Sequence, residues 1–111
     1  MTKVINLTPH EVIIIPREGE TYCFPKSGTV ARCSTTAEEI SIITASGKGN
    51  IPLVKTVIGE PQNVPEPEDD TLFIVSRLVK SALPERNDLI VPDGLVRDEN
   101  GNVIGAERFS L

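Results

Sequence analysis

Tryptophan is absent from this chain, tyrosine occurs once and phenylalanine three times among 111 residues. A protein that reads bases by stacking needs exposed aromatic planes, so that class is disfavoured at once. Positive charge is also short: 11 Lys and Arg stand against 16 Asp and Glu, a net charge of −5. Non-specific nucleic-acid binding would need a basic face, and none is visible. His10 is the only histidine, and with Cys23 and Cys33 it matches no standard zinc spacing. Nothing in the sequence implies a cofactor. No apolar run approaches the ~20 residues of a membrane helix, and the opening residues lack the apolar stretch of a signal peptide. A cytoplasmic protein without a membrane partner is expected. Two cysteines in a reducing compartment are expected to stay free thiols.

What is present is a moderately hydrophobic composition, 39%, rich in Ile, Val and Leu. A chain this long should bury about two-thirds of its unfolded surface, enough for one core, so residues 1–111 are read as a single domain. The first half reads as short strands broken by turns. Val4–Leu7 and Glu11–Ile15 flank a Thr-Pro-His step, and Pro16 ends the second. Thr21–Phe24 and Thr29–Arg32 form a predicted hairpin around Pro25-Lys26-Ser27-Gly28. Glu39–Thr44 alternates as a strand does, Ala45–Asn50 reads as a Gly-containing loop, and Pro52–Ile58 continues in extended form. Residues 59–70 hold three prolines and five acids, which predicts an exposed loop.

The second half changes character. Thr71–Val75 is a continuous apolar run, as in a strand covered on both faces. Ser76 is a candidate N-cap, and Leu78, Val79, Ala82 and Leu83 follow at helical spacing until Pro84. Asp88–Val91 reads as the next strand, closed by Pro92-Asp93-Gly94. The connection is about as long as a parallel crossover requires, so residues 71–92 predict a βαβ unit. Asn100-Gly101 predicts a two-residue turn between Val96–Glu99 and Asn102–Ile104. The fold class is therefore α+β, mainly strands and hairpins, with one short helix in a C-terminal βαβ unit.

Candidate chemistry gathers at two places. In an open α/β sheet, ligands sit outside the carboxyl ends of strands, which selects Ser76 and Arg77. Ser76 brings a hydroxyl and Arg77 a fork of donors suited to an anion. Arg86 and Arg97 would complete a cationic cluster if the fold converges them. A simple cap at Ser76 and a surface Arg86–Asp88 pair are the plain alternatives. The second place is Asn6-Leu7-Thr8-Pro9-His10. Histidine titrates near neutrality, and Asn6 or Glu11 could fix its tautomer. Equally, Thr8-x-x-Glu11 has the form of a capping box, which would make Asn6, Thr8 and His10 parts of a tight turn. No nucleophile elbow or phosphate-binding P-loop is present.

Ile5–His10, the stretch Pro25-Lys26-Ser27-Gly28-Thr29-Val30-Ala31-Arg32, the run Phe73–Ser76, Asp88–Pro92 and the closing Arg97–Gly101 together resemble a set of small, mostly hypothetical proteins of bacteria and their phages. The resemblance spans nearly the whole chain and implies a phage or prophage origin. It implies no settled activity.

The resulting expectation is a binding protein for a small anionic, nucleotide-derived ligand, such as a host-defence signal held so that it cannot act. Ser76, Arg77, Arg86 and Arg97 would bind it, with Asn6, Thr8 and His10 as polar partners, and homo-oligomerisation would help enclose it. Two other classes remain open. One is an acidic inhibitor of a host protein acting through Glu66, Glu68, Asp69 and Asp70. The other is a small hydrolase or lyase with His10 as base.

Overall fold

The computed structural model describes residues 2–111, apart from the side chain of Lys48. It is mainly β with one short helix. The strands are β1 Lys3–Asn6, β2 Val12–Ile14, β3 Tyr22–Phe24, β4 Arg32–Ala45, β5 Lys48–Gln62, β6 Thr71–Ile74, β7 Leu89–Arg97 and β8 Val103–Ser110, with helix α1 at Arg77–Ala82 between β6 and β7. Six strands form one sheet in the order β1-β6-β7-β8-β2-β3. β4 and β5 pair only with each other, as a two-stranded arm.

The sheet nearly closes on itself. Beyond β3, Lys26 makes a parallel bridge to Asn6 at the end of β1. A sheet whose outer strands meet must curl, and this gives it two buried faces. Along β6 and β7, Phe73, Val75, Leu89 and Val91 point outward to Val79 of α1, with Leu7 and Ala31 beside them. Ile74 and Ile90 have the opposite parity and are buried on the inner face, as are Ile14 and Ala106. This two-sided burial is what the unbroken apolar run of β6 demanded.

α1 has only six residues and would not persist alone. Ser76 caps it, its hydroxyl accepting from the Val79 amide at 3.3 Å, and Val79 is wholly buried. Packing of that one apolar face holds the helix, and Pro84 prevents its extension.

Four local expectations ahead of the last hairpin are corrected. Pro25–Gly28 does not turn β3 back on a following strand. β3 pairs instead with β2, across the loop at Arg17–Glu20. The chain then runs beside β1, where the Ser27 amide and hydroxyl both donate to the Asn6 carbonyl and the Ala31 amide donates to that of Leu7. Ala45–Asn50 is not a loop, because the arm runs through it and turns in two residues. Ser46 and Gly47 both have positive φ, 52° and 70°, as the tightest hairpin turn requires. The proline-rich connector starts later than expected. β5 extends to Gln62, and Val64 packs against the core. Finally, Pro92 does not end β7. β6 has stopped by Ile74, so on that side β7 is an edge where a missing N–H is tolerated.

The last hairpin is present, but its turn is wider than two residues. The Gly101 amide donates to the Asp98 carbonyl, the Asp98 amide to that of Asn102, and only Gly101 has positive φ. Asp98 Oδ1 also accepts from the amides of Asn100 and Asn102. A carboxylate holding several N–H groups is stabilised as the anion, which lowers its pKa below the ordinary 3.8.

Candidate ligand-binding cleft

The Leu7–His10 loop is built by one buried side chain. Asn6 is 2% exposed. Its Nδ2 donates to the His10 and Phe24 carbonyls at 2.8 and 2.9 Å, and its Oδ1 accepts from the Thr8 amide at 2.9 Å. The Thr8 hydroxyl lies within hydrogen-bond distance of Asn6 Oδ1 and the His10 carbonyl. Asn6 therefore ties β1, β3 and the loop together, and neither its amide nor the Thr8 hydroxyl is spare for a ligand.

β1 and β6 run parallel with Asn6 opposite Ile74, so the loops leaving their carboxyl ends are neighbours. Pro9 and Ser76 consequently line one cleft of about 500 Å³, whose far wall is the root of the arm, including Arg32, Cys33 and Gln62. Two hollows adjoin it. One of about 370 Å³ shares Val30 and Arg32 and adds Asn63; the other, about 330 Å³, shares Pro9 and adds His10, Glu11 and Lys26. His10 and Ser76 thus belong to one end of the molecule, with Pro9 between them.

The expected arginines fare differently. Arg77 stays at this end, but its guanidinium contacts Asp93 at 3.1 Å, and Asp93 also pairs with Arg108 at 2.8 Å. Arg86 lies past the other end of α1 and grips Asp88 through both Nε and Nη2, at 3.0 and 2.6 Å. Those bonds hold the Asp88 carboxyl below its ordinary pKa of 3.8. Arg97 sits near the tip of the last hairpin and donates to the Gly101 carbonyl at 2.8 Å. The convergence of Arg86 and Arg97 with Ser76 does not occur.

His10 is exposed, and neither Asn6 nor Glu11 orients its ring. Asn6 bonds its carbonyl, and Glu11 Oε2 accepts from Cys23 Sγ at 3.3 Å. That hydrogen bond and the carboxylate charge raise the Cys23 pKa, so this thiol is less nucleophilic than an ordinary one.

The residue that sequence reasoning passed over is Arg32. It is exposed, lines two adjoining hollows and, among the described residues, forms no ion pair. Its only signal was its place at the end of the Pro25–Arg32 stretch. Its setting depended on where β4 begins, which the mistaken hairpin concealed. Comparison with family models, curated proteins and solved structures finds no match for this chain.

Proposed function

We propose that this chain is a phage-type binding protein that holds a small anionic, nucleotide-derived ligand and keeps a host-defence signal from acting. The observation that carries the reading is Arg32, which lines a cleft of about 500 Å³ together with Ser76 and Gln62 and, among the described residues, forms no ion pair. An arginine fork matches a phosphate bidentately. A cleft of about 500 Å³ falls within the size range of small-molecule sites.

β6, α1 and β7 are read as one βαβ unit, which puts the ligand outside the carboxyl ends of β1 and β6. Arg77 stands at this end paired with Asp93, and Lys26 and His10 border the adjoining hollow. Arg86 and Arg97 have no part in the site. Binding rather than turnover is the better reading because the Ser76 hydroxyl is engaged as a cap and the His10 ring has no side-chain partner among the described residues.

The test is a thermal-shift panel of linear and cyclic nucleotides, with each ligand recovered and chromatographed. At a hundredfold excess over Kd, a ligand specific for the folded state adds about 2.7 kcal/mol. For a domain of this size that corresponds to a rise in Tm of about 10 °C. A shift with the ligand intact supports sequestration. A consumed ligand replaces it with the His10 enzyme, and the absence of any shift replaces it with a protein partner for the acids at Glu66–Asp70.

A further inference from the structure

Beyond its root, the arm has no part in the ligand cleft. Its 14- and 15-residue strands carry the chain to a radius of gyration of 18.0 Å and a longest extent of 59 Å. A compact chain of this length would have a radius of about 13 Å. A two-stranded ribbon is marginal by itself in water, and it normally survives by covering an apolar face. Here both faces are apolar. The register places Ile43 opposite Ile51, with Leu53 and Val57 at the same parity. Strand alternation puts Ile42, opposite Pro52, on the other face with Val54 and Ile58, and Ile40 stands in the irregularity between Glu39 and Ser41. All of these aliphatic residues, with Ile40, are 39–59% exposed.

We infer that the arm is a homotypic interface, packed in the assembled protein against the arm of a second copy of this chain. Area is the first argument. Ile43, Ile51, Leu53 and Val57 share one face, each 39–49% exposed, and make a continuous apolar strip along it. A stable interface buries about 800 Å² per partner, and this strip is the apolar centre of such a contact, with the polar residues around it as the rim. Charge is the second. The chain is acidic overall, at −5, yet residues 40–54 contain no acid. Two copies of an acidic protein meet there with least repulsion. Symmetry is the third: reciprocal packing about a two-fold axis lays the same apolar strip of each copy on the other, so one patch serves as both halves of a closed contact.

The experiment is light scattering on size-fractionated protein at micromolar concentration, with wild type and the double variant Ile43→Asn/Leu53→Asn. Both side chains face solvent in the single chain, so the six-stranded core should be untouched. Hydrogen exchange at Phe73, Val75 and Leu89 checks this. Wild type is expected at twice the 12.0 kDa chain mass, and the variant at one chain mass with its core protected. A single-chain mass for wild type overturns the inference, and so does a variant that remains dimeric. Should the double variant lose core protection, Ile43→Thr/Leu53→Thr, which places β-branched residues of high strand propensity at both positions, gives the same readout. Ligand binding is not used, so the outcome is independent of the proposed function.

Discussion

Replacing Asn6 by alanine should cost far more than an exposed-loop substitution. The side chain is almost wholly buried and serves three backbone groups: the carbonyls of His10 and Phe24 and the amide of Thr8. A hydrogen bond of this kind contributes about 1 kcal/mol net, and more when its partner is left dry. Water reaches these part-buried groups to some degree, so three lost partners amount to about 3 kcal/mol. Against a total stability of about 5–15 kcal/mol that is a large fraction. It corresponds to a fall in Tm of about 12 °C at this chain length. Urea denaturation is the assay: the midpoint should drop with the slope unchanged. Asn6→Asp keeps the acceptor but turns an oxygen toward two carbonyls, so its loss should be at least as large. Hydrogen exchange at Ala31, whose amide donates to Leu7, should speed up in both variants. A loss below about 1 kcal/mol for Asn6→Ala would refute the claim that this side chain ties β1, β3 and the loop together.

Other perturbations follow from the same geometry. Asp88 has a folded pKa below 3.8 because Arg86 hydrogen-bonds its ionised form, so its contribution is complete above about pH 3.8 and is lost as pH falls through the lower folded value. Denaturation across pH should therefore show a constant gap between wild type and Asp88→Asn from pH 7 to about 5, narrowing below about 3.8. Gly101 has φ of 83° with nothing near its missing Cβ, so Gly101→Ala should cost about 1 kcal/mol through backbone strain alone. At Gly105 a Cβ would lie 2.8 Å from the Ile13 carbonyl oxygen, and Gly105→Ala should cost about 2–3 kcal/mol by forcing β2 from β8. Equal Tm values for the two alanine variants would contradict this reading.

Period and punctuation made the second half legible. An unbroken apolar run signalled β6, and Ser76 and Pro84 bracketed α1. In the first half the information was non-local. Nothing near Pro25–Gly28 states that Asn6, some twenty residues earlier, accepts from Ser27 and holds Phe24. The predicted turn was plausible locally and lost to that contact. The arm was legible only in part: Glu39–Thr44 and Pro52–Ile58 read as extended, but the two-residue turn at Ser46-Gly47 and the pairing on to Gln62 depend on cross-strand register. The candidate site was half legible. Ser76, Pro9 and His10 lie at one end because β1 and β6 are parallel, which sequence spacing does not reveal. Arg86 and Arg97 stand at strand ends as the sequence suggests, but each has a local partner, Asp88 and the Gly101 carbonyl, that uses it.

Calorimetric titration of the nucleotide giving the largest thermal shift, into wild type and Arg32→Gln, tests the central claim most directly. Loss of a bidentate charged contact should weaken binding by about 1.5–3 kcal/mol, at least tenfold in Kd, while the variant keeps its Tm in the absence of ligand. The same Kd for both proteins would contradict the assignment of the anion to the Arg32 cleft.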